Sequence, residues 1–412
     1  MKRISHFLLA LCGLILTALT ATASPAETTA TDDSLTVSLL TCAPGRDSYS
    51  LYGHTALRVK SAATGDDFVF NYGVFSFRQP HFVWRFMLGK TDYTAIGQHF
   101  DDFAREYAAD GRSVTEQRLN LTQPEARRLT DAVMRNVMTD GWTYRYNFLK
   151  DNCTSRVVAM IEEALDGTLQ LPTTQPTTYR DIIHSYAADA APWSNFGQDL
   201  ILGAAVDTTV STRGAMAFPL LAEAILDKAV VTDAQGTTRQ LVGGKEEVVS
   251  ATAPEATAFW ISPMAAALFL LLLAIGVSLP NLKGHASTAG RLFDYATMLV
   301  EGLAGCLVFL LFFFSEQPAV DSNWLFTLLN PLPLICLPIK AWREAKGRKD
   351  HYIPLVQLLL VVLCLLTGFL QKYPAEIYVL ASALLIRSLA TRHAMRTHTK
   401  TTPAAQHAAA HT

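Results

Sequence analysis

Apolar residues follow two different patterns along this chain of 412 residues. From about residue 33 to residue 213 they form short runs between polar residues, which is typical of a soluble domain that mixes strands and helices. Beyond residue 257 they form long runs near 258–280, 293–314, 324–340, 354–371 and 375–389. The first two runs are long enough to cross a bilayer, and the other three are shorter. The pattern predicts a soluble domain followed by an all-α membrane domain of five spans.

These patterns divide the chain into segments. The first segment carries Lys2 and Arg3, an apolar run, and the small residues Ala21 and Ala23, which is the pattern of an export signal. The predicted segments are a signal peptide (1–23), a soluble domain (24–225), a polar linker with short valine runs (226–257), the five-helix membrane domain (258–390) and a disordered tail (391–412).

Basic residues between the apolar runs predict the orientation. Segments 281–292 and 340–350 and the C-terminal tail carry lysine and arginine, whereas 315–323 has neither and 371–376 has only Lys372. Basic loops remain in the cytoplasm. Five spans then place the soluble domain in the periplasm, outside the inner membrane, and the C-terminus in the cytoplasm.

Composition agrees with a membrane protein. Half of the residues are hydrophobic and only 17% are charged, which is too apolar for an average soluble protein. The formal net charge is −2, and no basic cluster alternates with aromatic residues. The chain is therefore not expected to bind nucleic acid.

Local signals predict several elements of the soluble domain. The stretch HTALRVKSAATGDDFVFNYGVF reads as two strands joined by a turn around Ser61 to Gly65. Thr122 and Glu125 form a capping-box pattern at the start of an amphipathic helix. The stretch CTSRVVAMIEEALDG is a second helix, which Asn152 or Asp151 can cap.

The candidate chemistry centres on Cys153 at the start of this second helix. The helix dipole and unpaired backbone N–H groups favour a thiolate there, and a neighbouring imidazole would supply proton transfer. His54 opens the first strand of the hairpin, directly after Gly53. If the turn is centred near Ala62 and Ala63, Asn71 comes opposite His54 and can orient the imidazole.

Two other interpretations of Cys153 remain open from the residues. A free cysteine is most often a small buried hydrophobic residue. In the oxidising periplasm, Cys153 could instead pair with Cys42, the other cysteine of the exported domain. The spacing of the histidines offers no close cluster of metal ligands, and no metal or cofactor is expected.

Two acidic residues in the second span are candidates for a polar site inside the membrane. Glu301 is costly in hydrocarbon unless it has a partner, and Asp294 lies two turns earlier on the same side. The pair would form either a path for a lipid headgroup or structural hydrogen bonds within the helix bundle.

Several motifs resemble one known family. LLTCAPGRDSYSLYGHTALRV, FNYGVFSF, YRYNFLKDNCTSR and FGQDLILGAAVD are similar, in order and spacing, to the periplasmic domain of the Lnb-type lipoprotein N-acyltransferase family. RLFDYATMLVEGLAG and SNWLFTLLNPLPL resemble its transmembrane domain. The resemblance implies an α+β, circularly permuted papain-like (NlpC-type) domain in which the histidine strand precedes the cysteine helix.

The resemblance also implies a reaction. Cys153 would be the nucleophile and His54 the base, and an acyl chain would pass from a phospholipid through a thioester to the α-amine of a lipoprotein's lipidated N-terminal cysteine. Asn71 remains the third candidate of the site, from the geometry of the hairpin. Backbone N–H groups at the helix start, with Asn152, would hold the oxyanion.

Two rival functions remain. A membrane-tethered papain-like peptidase or amidase acting on peptidoglycan would use the same fold and the same nucleophile. A non-catalytic envelope assembly protein would use Cys42 and Cys153 as a structural bridge.

Overall fold

The computed structural model describes residues 34–409, apart from 48, 188–190, 252–259, 286 and 349–350, and it describes side chains as far as residue 396. The predicted signal peptide, 1–23, lies outside the described residues.

An antiparallel sheet organises the N-terminal domain. It has seven strands in the order β10-β5-β1-β2-β3-β4-β6, and a separate small sheet has the order β7-β8-β9. The strands are β1 (Leu35–Cys42), β2 (His54–Ser61), β3 (Asp67–Val74), β4 (Asp92–His99), β5 (Val114–Leu119), β6 (Tyr144–Arg145), β7 (Thr168–Gln170), β8 (Val230–Thr232), β9 (Thr238–Gln240) and β10 (Val242–Val249).

Helices cover both faces of the large sheet. In chain order they are α1 (Phe82–Met87), α2 (Phe100–Ala109), α3 (Gln123–Met138), α4 (Cys153–Ala164), α5 (Tyr179–Ala187), α6 (Pro192–Ile201), α7 (Thr212–Ala215) and α8 (Pro219–Leu226). Helices α3 and α4 share a core with Leu39 and Leu57 on one face, and α2 packs Phe103 against Leu40 and Ala56 on the other. The N-terminal domain is therefore a mixed α/β domain.

Local signals place two helices where the sequence predicts them. Thr122 caps α3, and its side chain and that of Glu125 exchange hydrogen bonds with each other's backbone N–H groups. Asn152 caps α4, so Cys153 is the first residue of that helix. Strands β2 and β3 confirm the predicted hairpin.

The segment 226–257, predicted as a linker, contributes strands to the domain. β10 pairs with β5 at one edge of the large sheet, and β8 and β9 complete the small sheet. Most side chains of β10 are exposed or half-buried, and this explains the polar appearance of the segment, because an edge strand meets solvent.

Five helices form the C-terminal region: α9 (Pro263–Leu282), α10 (Thr288–Phe314), α11 (Leu332–Ala345), α12 (Ile353–Thr367) and α13 (Ala375–Ala409). Among the described residues, three segments are long and apolar enough to cross a bilayer, namely Pro263–Leu282, Thr288–Phe314 and Trp324–Ala345, and Ile353–Thr367 is apolar but shorter. Helix α13 continues to Ala409. The sequence predicted disorder from residue 391 onward.

The two domains contact each other through the loops that follow α10 and α12. These loops, 315–323 and 368–374, are the ones that carry little or no basic charge. Hydrogen bonds join them to the N-terminal domain at Leu88 O to Glu316 N (3.0 Å), Gly203 N to Ala319 O (2.9 Å) and Leu202 O to Gln371 Nε2 (2.9 Å). Both loops therefore lie on the same side of the helix bundle as the N-terminal domain.

Candidate functional site

Cys153 occupies the first turn of a fully capped helix. The side-chain Oδ1 of Asn152 accepts hydrogen bonds from the N–H groups of Thr154 and Ser155, both at 2.9 Å. The same amide donates through Nδ2 to the carbonyl oxygens of Phe148 and Ala217, both at 2.8 Å. Cys153 itself stays partly exposed, while Asn152 is buried.

This hydrogen bonding limits what Asn152 can do. Its amide has two N–H donors, and both are used to hold the helix start in place. Asn152 therefore fits the supporting part of its predicted role and has no N–H group left for an oxyanion.

His54 lies beside this helix start, at the first residue of β2. Its Nε2 is 3.0 Å from Oδ1 of Asn71. This contact leaves Nδ1 as the ring nitrogen available to the Cys153 thiol, with which the imidazole interacts electrostatically. Sequence reasoning thus selected three side chains that the structure brings together.

The register of the hairpin differs from the predicted one. Asn71 pairs with Ala56, two residues beyond His54. Moving the centre of a turn by one residue moves the pairing by two, so the side chains stay on the same face. Asn71 is consequently a diagonal neighbour of His54 and still reaches its ring.

The electrostatics of the pair favour its charged form. Burial alone would raise the pKa of Cys153, but the charge and hydrogen bond of His54, the Thr154 hydroxyl and the backbone N–H of Thr55 outweigh it and lower that pKa. For His54, burial opposes the charged form, yet Cys153 and the hydrogen bond with Asn71 raise the pKa above its usual value. The two shifts together favour a thiolate–imidazolium pair.

Space beside the thiol depends on Gly73. Its φ of +83° is one that side chains rarely adopt, and a Cβ at this position would lie 3.4 Å from Cys153 Cβ and 3.6 Å from the Tyr146 ring. Gly73 therefore keeps the approach to the sulfur open.

Tyr144 is a polar residue of the site that sequence reasoning missed. Its hydroxyl lies 3.7 Å from the position of the absent Gly73 Cβ. It is buried and, among the residues that the structure describes, has no hydrogen-bond partner. Burial and the neighbouring Cys153 raise the pKa of Tyr144, so it remains a protonated donor. Tyr144 falls on the two-residue strand β6, which gives no pattern in the sequence.

Cys42 and Cys153 are separate thiols in this structure. Both are free, and Cys42 is fully buried in the core under α2. Burial raises the pKa of Cys42 to about 12. Of the two cysteines in the described part of this domain, only Cys153 thus has the exposure and acidity of a reactive thiol.

Glu301 and Asp294 both have partners inside the helix bundle. Asp294 binds Arg387, with Oδ1 to Nε at 2.9 Å, and Glu301 accepts hydrogen bonds from Gln357 Nε2 at 2.9 and 3.1 Å. They line a common cavity of about 40 Å³. Along α10, at ~1.5 Å per residue, Asp294 is about 30 Å from the end that contacts the N-terminal domain. These contacts favour the structural interpretation, and the distance separates Asp294 from the thiol.

A mixed α/β domain that carries a cysteine–histidine–asparagine cluster and is docked on a bundle of apolar helices defines the class of this chain: a membrane-associated protein with a candidate thiol site. Comparison with known families agrees with this class. Residues 22–185 match the Lnb N-terminal periplasmic domain, and residues 254–398 match the Lnb transmembrane domain. The chain belongs to the Lnb family, as its motifs predicted. No curated protein and no solved structure matches it.

Proposed function

We propose that this protein is a lipoprotein N-acyltransferase that moves an acyl chain from a phospholipid to the α-amine of a lipoprotein's lipidated N-terminal cysteine. Membership of the Lnb family suggests a membrane-associated enzyme of lipoprotein maturation. The contact of His54 with both Cys153 and Asn71 is the single observation that carries the proposal from this class to acyl transfer by a thiol.

The first half-reaction consumes the phospholipid. The Cys153 thiolate attacks an ester carbonyl, and a tetrahedral intermediate forms with negative charge on its oxygen. Collapse of the intermediate breaks the ester C–O bond, and the lysophospholipid alkoxide leaves with a proton from the His54 imidazolium. The acyl chain is then held as a thioester on Cys153.

The second half-reaction regenerates the thiol. The lipoprotein α-amine attacks the thioester carbonyl, His54 takes the amine proton, and the Cys153 sulfur leaves as thiolate. Asn71 accepts the Nε2–H of His54 and keeps Nδ1 directed at the sulfur in both steps. Asn71 acts as a positioning residue.

Oxyanion stabilisation is assigned to the Tyr144 hydroxyl and to the backbone N–H of Cys153, because Asn152 accepts hydrogen bonds from the next two backbone N–H groups of the helix. The Tyr144 hydroxyl is buried without a partner among the described residues, next to the space that Gly73 leaves. A preorganised donor in such a dry site stabilises the developing charge more strongly than water does.

The order of elements supports a permuted papain-like domain, because the histidine strand β2 precedes the cysteine helix α4 in the chain. Basic residues in 281–292, in 340–350 and in the C-terminal tail, and their scarcity in 315–323 and 371–376, support an inner-membrane location with the C-terminus in the cytoplasm. Both proposed substrates, the phospholipid and the lipoprotein, reside in that membrane.

Mass spectrometry of one reporter lipoprotein tests the function. A deletion strain is complemented with the wild-type gene, Cys153→Ala, His54→Ala, or the control Cys42→Ala, at matched protein levels. We expect the N-acyl group on the reporter with the wild type and Cys42→Ala, and its loss with the other two variants.

The rival functions give different outcomes. An unchanged acyl count in the deletion strain, together with altered muropeptides, would replace the proposal with a peptidoglycan amidase. Full N-acylation by Cys153→Ala would remove the thiol from the mechanism and favour an assembly protein.

A further inference from the structure

Exposed apolar side chains concentrate around the short helix α1. Phe77 is 68% exposed, Val83 64%, Trp84 51% and Phe86 49%. These four residues are called the apolar ridge. A contiguous group of large apolar side chains on a soluble domain marks a surface that something covers.

The apolar ridge lies where the chain leaves the membrane domain. Just past α1, the Leu88 carbonyl oxygen accepts a hydrogen bond from Glu316 N at 3.0 Å, and Gly89 packs directly against Gln317. Glu316 is only two residues beyond Phe314, the last residue of the span α10. Helix α1 has six residues and is about 9 Å long. All of α1 therefore lies within about one helix length of the point where the span α10 ends.

The end of α10 is itself apolar on its outside. Phe313 is 53% exposed and Phe314 is 59% exposed in the bundle. In a membrane such side chains face lipid. The apolar ridge thus lies next to the point where the lipid-facing surface of the helix bundle ends, which favours the bilayer as its occupant.

A line of packed aromatic rings, called the aromatic wall, connects the apolar ridge to the site. Phe82 belongs to α1, and Tyr146 borders the space beside Cys153 that Gly73 leaves open. In order, the rings are Phe82, Phe75, Tyr93 and Tyr146, and successive centroids are 5.2, 5.2 and 4.2 Å apart.

Gln317 fixes the inner end of this wall to the membrane domain. Its Nε2 donates to the Tyr146 carbonyl oxygen at 3.3 Å. The same residue packs against Gly89 at the outer end. One loop of the membrane domain therefore supports both ends of the aromatic wall.

We propose that the apolar ridge lies in the outer surface of the bilayer and that the acyl chain of a phospholipid passes along the two partly exposed rings of the aromatic wall, Phe75 and Tyr146, on its way to Cys153. The buried rings Phe82 and Tyr93 pack behind them and hold them in place. The final step of this path, delivery of the ester to the thiolate, rests on the proposed function, whereas lipid contact does not. The ligand class is a glycerophospholipid with its acyl chain against the rings and its headgroup at the membrane surface.

Photolabelling tests lipid contact without catalysis. Full-length Cys153→Ala is reconstituted in vesicles that contain phosphatidylethanolamine with a diazirine in one acyl chain, and labelled peptides are mapped by mass spectrometry after irradiation. We expect label on α1, on the Phe75 and Tyr146 peptides, and on the spans. Because Cys153→Ala cannot form a thioester, this labelling survives even if the enzyme proves to be an amidase.

A triple variant locates the entry. Val83→Gln, Trp84→Gln and Phe86→Gln together should reduce labelling of the Phe75 and Tyr146 peptides at least fivefold, with unchanged labelling of α9. The control is Met138→Gln, because Met138 is 74% exposed on α3 and outside the apolar ridge. The Met138→Gln variant should be photolabelled on the same peptides and to the same extent as the parent protein.

The outcomes are distinct. Label confined to the spans overturns the membrane contact of the apolar ridge, and label on α1 without label on the Tyr146 peptide overturns the path along the aromatic wall. In the background with an intact Cys153, alkylation of this thiol at the wild-type rate shows that the triple variant is folded. In that folded variant we expect reduced reporter N-acylation, and full N-acylation would also overturn the path.

Discussion

Replacement of Asn71 by alanine tests the least obvious member of the site. The Asn71 side chain is buried, and its Oδ1 is 3.0 Å from Nε2 of His54. When His54 is an imidazolium, this is a hydrogen bond from a charged donor, which contributes about 1.5–3 kcal/mol. At about 1.36 kcal/mol per factor of ten, loss of the bond should slow thioester formation about 10- to 160-fold.

The same change should shift the titration of the thiol. The Asn71 hydrogen bond helps to raise the pKa of His54, so its loss lowers that pKa. A less stable imidazolium stabilises the Cys153 thiolate less, and the pKa of Cys153 rises. We therefore expect the thiolate to appear at a higher pH in Asn71→Ala than in the wild type.

Alkylation by iodoacetamide measures this directly. The rate is followed on the Cys153 peptide by mass spectrometry between about pH 5 and pH 10, a range that brackets the usual pKa values of histidine and cysteine, roughly 6.5 and 8.5. Asn71→Asp retains an acceptor oxygen and should stay closer to wild type than Asn71→Ala. Asn136→Ala removes a hydrogen bond to the hydroxyl of Tyr72, which follows Asn71 in β3 but points to the opposite face of the strand, and serves as the control. If Asn71→Ala and wild type agree within twofold in rate and show the same pH profile, the assigned role of Asn71 is wrong.

Three further predictions follow from the site. Gly73→Ala should abolish reporter N-acylation and lower the melting temperature, because alanine at φ +83° costs about 1–2 kcal/mol and its Cβ would fill the space beside the sulfur. Asn152→Ala should destabilise the domain by about 2–4 kcal/mol, since the cap and two donated hydrogen bonds are lost; the near-ultraviolet circular dichroism melt in detergent measures it. Cys42 should resist alkylation at pH 8 in the native protein and react in denaturant, because burial raises its pKa to about 12; equal native labelling of Cys42 and Cys153 would contradict this.

The part of the site that could be predicted from sequence rests on local signals. Two capping residues, Asp151 and Asn152, precede an amphipathic run, so the sequence placed Cys153 in the first turn of the helix, and the structure identifies Asn152 as the cap. His54 was assigned to the first residue of a strand because alternation starts there. Such signals involve residues within one or two turns of each other.

The sequence predicts the correct face of β3 for Asn71 but the wrong pairing partner on β2. The predicted centre of the turn differs by one residue from the centre that the pairing of Ala56 with Asn71 implies. Because side chains alternate with period two, Asn71 still lies on the predicted face of the strand, and it still contacts His54.

Other features depend on contacts between residues far apart in the chain. β10 joins β5 across more than a hundred residues, and its polar outer face makes it resemble a linker. Tyr144 belongs to a two-residue strand whose place beside β4 is set by the sheet, and nothing in its neighbouring residues indicates a role. Sequence patterns report burial along one element and carry little information about which elements meet.

The docking of the two domains explains why more than one span serves this site. A single span would leave the periplasmic domain free to rotate above the bilayer. Here two loops from different helix pairs hold it, with Gln317 bound to Tyr146 beside the thiol and Gln371 bound to Leu202 on another part of the domain. Two separated attachments fix both height and orientation relative to the helix bundle. The proposed donor and acceptor are also confined to the membrane plane. Because the attachment is rigid, Cys153 stays at a constant distance from the bilayer surface, and each substrate has to find it by diffusion in two dimensions only.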